Sequence, residues 1–104
     1  QQGHAATTES LTMLRRQIDR IDSELLELLA KRMRVARDIG RYKSEHSMPV
    51  VQPGRYNSLM EQRAAQADKL EMSRDFVATV LAAIHEESVR QQLEICTGNQ
   101  SSES

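Results

Sequence analysis

The sequence predicts an all-α protein of three helices, one long and two shorter, paired with a second copy of itself. Three observations carry this reading. Leu14, Ile18, Ile21, Leu25, Leu28, Arg32, Val35, Ile39 and Tyr42 are spaced alternately four and three apart, the seam of a long helix packed on other helices. Two prolines and four glycines in 104 residues leave little material for a turn-rich β fold. A helix over residues 11–45 is roughly 50 Å long, whereas a compact chain of this size has a radius of gyration of about 13 Å. Its own chain therefore cannot cover it, and a second copy is the simplest cover.

Residues 1–10 are small and polar and read as a disordered tail, a linker from an upstream domain or a tag remnant. Ser10 or Thr8 is placed to cap the first helix, with Glu9 near its positive end. That helix spans about residues 11–45, and Gly40 interrupts it at a cost of about 1 kcal/mol. Met48-Pro49-Val50-Val51-Gln52-Pro53-Gly54 breaks the helical pattern. A second helix follows to about Ala67, with Tyr56, Leu59, Met60, Arg63 and Ala67 on one face. Residues 68–72 form a short connection, and Ser73 caps a third helix that runs to about Cys96. Thr97-Gly98-Asn99 reads as its stop, and residues 98–104 as a polar tail. The domain is thus expected over residues 11–97.

Composition narrows the function classes. A formal net charge of −1 lacks the excess of Lys and Arg of a nucleic-acid module. No apolar run approaches the length of a membrane span. A single cysteine, Cys96, excludes an internal disulfide and fits a reducing, cytoplasmic setting. Three scattered histidines and one cysteine make no metal site, and His85-Glu86 lacks the second histidine of a zinc-protease helix.

One seam position breaks the pattern. Arg32 places a permanent cation among apolar residues, which is costly unless an anion meets it. The third helix repeats the anomaly. Its stripe of Val77, Leu81 and Ile84 continues through Ser88 and Gln92 to Ile95, so a hydroxyl and a carboxamide fall on the buried face. Lys43 lies three turns beyond Arg32 on the same side of the first helix. Arg15 is about 25 Å from Arg32 along the axis and reaches the same small ligand only from another subunit. Taken singly, Arg15, Lys43 and Arg55 also read as solvated cations, and Ser88 with Gln92 as a bridged polar pair. Together the set holds cations and neutral donors, with no nucleophile or base. It suits a reaction that needs only positioning and charge stabilisation, such as the pericyclic rearrangement of a small dicarboxylate.

The run Leu14-Arg15-Arg16-Gln17-Ile18-Asp19-Arg20-Ile21-Asp22, then Leu28-Leu29-Ala30-Lys31-Arg32, then Ile39-Gly40-Arg41-Tyr42-Lys43, closely resembles the all-helical AroQ class of chorismate mutases. Pro49-Val50 with Arg55, and Glu87-Ser88-Val89 with Gln92, extend the likeness over about residues 11–92. The resemblance implies an intertwined homodimer of three-helix chains, with two active sites that convert chorismate to prephenate without cofactor or metal. It implies that Arg15 reaches a substrate carboxylate from the partner subunit and that Arg32 binds the other. It assigns Lys43 to a carboxylate and the ether oxygen, Gln92 to that oxygen, Ser88 to carboxylate binding and Arg55 to the polar wall. The family often carries acids where this chain has Gln52 and Tyr56, residues that help hold the ring hydroxyl, so a weaker mutase is expected. A fused or associated shikimate-pathway domain is a further expectation. Two other readings fit: an isochorismate-pyruvate lyase of the same fold, and a non-catalytic helical dimerisation or regulatory module of a larger enzyme.

Overall fold

Helices α1 (Gln2–Glu45), α2 (Pro53–Lys69) and α3 (Arg74–Glu103) follow one another in a computed structural model that describes residues 2–103, with side chains described for residues 9–97. No strand occurs among the described residues, as the sequence predicts. No helix among them is long and apolar enough to cross a membrane.

Both outer helices overrun their expected ends. α1 passes through Ser10 back to Gln2, and α3 passes through Thr97 to Glu103. Neither Ser10 as a cap nor Gly98 as a stop acts as expected. Serine is tolerated inside a helix, and one glycine costs about 1 kcal/mol, too little to end a helix unaided. What remains of the two terminal tails, at Gln1 and Ser104 and in the side chains of residues 1–8 and 98–104, lies outside the described residues.

The chain divides into two units, residues 1–32 and 33–104. The first is a stretch of α1. Its seam residues Leu14, Ile18, Ile21, Leu25 and Leu28 are each more than half exposed.

The second unit holds the end of α1 with α2 and α3. Gln52 precedes α2 in an extended conformation and Pro53 occupies the first turn, where its missing N–H costs nothing. The face read from the spacing is the one that packs: Leu59 and Ala67 are buried, and Tyr56, Met60 and Arg63 are half-buried. α3 opens as expected on Ser73, whose hydroxyl accepts the Phe76 N–H at 3.3 Å. Along α3, Val77, Leu81, Ile84 and Ile95 are half-buried, while Ser88 and Gln92 are buried. Polar residues thus occupy the centre of a small core whose buried apolar members are Ala36, Leu59 and Ala67.

α1 and α2 end alike. Past α1, Met48 N–H bonds the Lys43 carbonyl at 2.8 Å and Ser47 N–H the Ser44 carbonyl at 3.4 Å. Past α2, Met72 N–H bonds Ala67 at 2.9 Å and Glu71 N–H bonds Asp68 at 3.2 Å. These paired bonds are Schellman motifs. Their left-handed positions are filled by Ser47 (φ 54°) and Glu71 (φ 57°), where glycine is the unstrained choice. Glu71→Gly is therefore expected to raise stability by up to about 1 kcal/mol, read as a higher urea midpoint at an unchanged slope. A fork between Arg74 and both Asp68 carboxylate oxygens closes the α2–α3 turn and holds that carboxyl below its usual range.

Candidate active site

Gly40 decides where α1 meets α3. Its Cα lies so close to α3 that a Cβ built there falls 3.0 Å from the Gln92 Cα and 3.3 Å from the Gln92 Cβ and Cγ. Its φ is not positive, so the glycine is required for space and not for conformation. Two further contacts seal the crossing. Arg37 donates to the Gln91 carboxamide at 3.1 Å, and the Cys96 thiol approaches the Gly40 carbonyl at 3.9 Å. By propensity alone Gly40 only interrupts α1; in the fold it admits a close helix approach.

One turn further, that approach brings Lys43 onto Gln92. The Lys43 ammonium donates to Gln92 Oε1 at 2.9 Å and to the Val50 carbonyl at 2.7 Å. Gln92 Nε2 in turn donates to Ser88 Oγ at 3.1 Å, one turn back along α3. Because Oε1 accepts from the ammonium, the amide presents its NH₂ away from Lys43, and one of the two N–H bonds remains after Ser88 is served. No buried side-chain N or O among the described residues lacks a partner.

The electrostatics are one-sided. Lys43 is half-buried, and among the described residues no carboxylate bonds to it. Burial pushes its ammonium below the ordinary lysine value, opposed by a Coulombic pull from Cys96. A cation held in this way is pre-set to receive an anion. The nearest acid in sequence to Ser88, Glu87, is occupied elsewhere. It bonds Arg90 twice, at 2.7 and 2.9 Å, and accepts from Gln91 at 2.7 Å, which holds its carboxyl down at about 2.

The remaining expected residues fall in two places. Gln52 sits half-buried at the mouth of α2, its Nε2 3.5 Å from the Pro49 carbonyl, while Arg55 is exposed one turn into the helix. Tyr56 is half-buried against His85, ring centroids 4.2 Å apart and planes at 45°. Arg15 and Arg32 belong to the first unit, where both are exposed. The structure therefore brings together Lys43, Ser88 and Gln92, and separately Tyr56 with His85. Three site roles are not assigned by the sequence: the Val50 carbonyl as an acceptor, Gly40 as the point of close approach and His85 as the neighbour of Tyr56. A backbone carbonyl such as that of Val50 has no signature, whereas His85 precedes Ser88 by three residues on the same stripe and was findable by spacing. Among the described residues no cluster of His, Cys, Asp and Glu has the makings of a metal site.

A family profile described as "Chorismate mutase type II" matches residues 14–93. The curated T-protein of Enterobacter agglomerans is 38% identical over 78 residues, covering 75% of this chain and 21% of that protein. The T-protein of Haemophilus influenzae is 35% identical over 80 residues, with 77% and 21% covered. The 4-amino-4-deoxychorismate mutase of Streptomyces pristinaespiralis is 32% identical over 88 residues, with 85% and 68% covered. The chain thus spans about a fifth of the length of the two T-proteins.

Proposed function

This chain belongs to the chorismate mutase type II family, and on that premise we propose that it rearranges chorismate to prephenate within an entwined pair of copies. The observation that carries the proposal is the Lys43–Gln92–Ser88 cluster. It offers a half-buried ammonium and a fixed carboxamide N–H, and among the described residues no carboxylate bonds to it.

The chemistry asks for little more. As the ether C–O bond breaks, negative charge grows on its oxygen, and donors already in place stabilise it more in the transition state than in the ground state. Lys43 and the spare N–H of Gln92 take that oxygen. Lys43 and Ser88 also steady a carboxylate. Arg32 clamps the second carboxylate group, and Arg15 of the partner subunit completes the clamp. Holding both ends selects the folded conformer in which the reacting carbons meet. Gln52, Arg55 and Tyr56 line the polar wall around the ring substituent. The exposed seam of the first unit supports the paired assembly: a lone helix with this much apolar surface gains stability mainly by packing. A fused or associated shikimate-pathway domain and a cytoplasmic setting complete the reading.

The test is loss of chorismate absorbance on adding the purified chain, with product identification. Prephenate at a rate well above background supports the proposal. No rate enhancement, or pyruvate released from isochorismate instead, overturns it. The pH profile adds a sharper check. Catalysis needs the Lys43 ammonium, so kcat/KM falls on the alkaline side with a midpoint below the ordinary lysine value. Stability moves oppositely. Across the window between the lowered folded pKa and the unfolded one, the unfolded chain holds a proton that the folded chain has lost, so this group adds stability as pH rises. Lys43→Arg carries the activity limb to higher pH.

A further inference from the structure

We propose that His85, packed against Tyr56, is a specificity-determining residue for the reaction proposed above, on which this inference rests: the pair forms a wall without negative charge that accepts a ring hydroxyl and turns away a ring ammonium. His85, Ser88 and Gln92 occupy successive turns of one face of α3. The His85–Tyr56 pair therefore continues the cluster away from Lys43, and Tyr56 stands one turn into α2 from Gln52. The rings lie 4.2 Å apart, both half-buried, and neither the phenol nor the imidazole makes a hydrogen bond among the described residues. Their polar atoms remain for a ligand.

Charge sets what that ligand carries. An imidazole bears no negative charge in either protonation state, nor does a protonated phenol or the Gln52 carboxamide. From α1 comes Lys43, and from α2 come Arg55 and Arg63, all cations. On α3, Glu87 is committed to Arg90 and Gln91, and Glu86 is exposed. No carboxylate bonds to Lys43, Ser88, Gln92, Tyr56 or His85 among the described residues. A hydroxyl is neutral, both donates and accepts, and finds partners here in several ways. An ammonium only donates, carries a full charge, and loses water without gaining an anion. Chorismate bears the hydroxyl. Its 4-amino-4-deoxy analogue, named in one relative, bears an amine that is protonated at neutral pH.

The experiment compares kcat/KM for chorismate and 4-amino-4-deoxychorismate with the full chain, Tyr56→Glu and His85→Glu, each checked for native circular dichroism. The unaltered chain is expected to favour chorismate by at least about tenfold, and each variant to move the ratio at least about tenfold toward the amino substrate. A general structural lesion lowers both rates and leaves the ratio in place. The unaltered chain supplies a second readout that needs no variant. As pH rises and the substrate amine loses its proton, the ratio falls, because titration of Lys43 affects both substrates alike. A ratio near one at neutral pH, a preference for the amino substrate, a ratio that ignores pH, or folded variants that leave it unmoved overturns the inference while the mutase reading stands. Turnover of neither substrate overturns both.

Discussion

Lys43→Ala is expected to lower chorismate turnover by about 10²–10³ while shifting stability by no more than about 2 kcal/mol. The rate term is the larger because the ammonium acts on charge that grows only in the transition state. The stability terms oppose each other. Removing Lys43 leaves Gln92 Oε1 buried without its donor, a cost of about 1–3 kcal/mol. It also removes a cation that burial already disfavours, as the lowered lysine pKa records. Gln92 then loses the partner that orients its amide. For that reason Lys43→Ala and Gln92→Ala together are expected to cost less than the sum of the two alone. Steady-state kinetics and thermal unfolding on the same preparations read both quantities. Undiminished turnover would remove Lys43 from the chemistry.

Gly40→Val is expected to damage fold and activity together. Any Cβ at this position meets the Gln92 Cα at 3.0 Å, a backbone atom that cannot rotate away. Alanine recovers up to about 1 kcal/mol of helix propensity, which offsets part of the clash. Valine recovers less and adds two methyl groups to a closed contact, an overpacking cost of about 1–3 kcal/mol. Relief comes by moving α3 outward, which carries Gln92 off Lys43. A misplacement of about 1 Å is enough to lose 10²-fold in rate. The expected result is a lower melting temperature with a fall in kcat larger than the stability loss explains. A valine variant with native melting temperature and native kcat would show that the crossing is looser than described.

The helices were legible because apolar spacing is a direct record of which face packs. The stripe Val77, Leu81 and Ile84 fixes the face of α3 on which Ser88 and Gln92 are buried, to 8% and 6% exposure. The Ser73 cap and the Pro53 start are local chemistry and read equally well. The meeting of Lys43 with Gln92 was not readable from spacing, because spacing gives a face but not the point at which two helices cross. That point is set by Gly40, and a glycine in a helix looks the same whether it weakens the helix or admits a neighbour. The breaker segment Met48–Gly54 and the connection over 68–72 mark the ends of α1 and α2 near Glu45 and Lys69, although Ser47 and Glu71 hold the left-handed position there without glycine. The start of α1 and the end of α3 are the ends that local residue type does not give, because a single serine or glycine is too weak to stop a helix. His85 lacks the second histidine of a zinc motif, but its place on the α3 stripe one turn before Ser88 puts it beside the site, against Tyr56.

The hydrogen count at Lys43 has a consequence for how a ligand is received. Three N–H bonds are available on an ammonium, and Val50 and Gln92 already claim two. A guest asking for a single contact is met at once. A guest asking for two must take one from the residue 50 carbonyl or from the carboxamide. The first choice slackens the segment between α1 and α2, and the second frees the amide to turn. Occupancy of the site and tension in its neighbouring loop are thereby linked through one nitrogen atom.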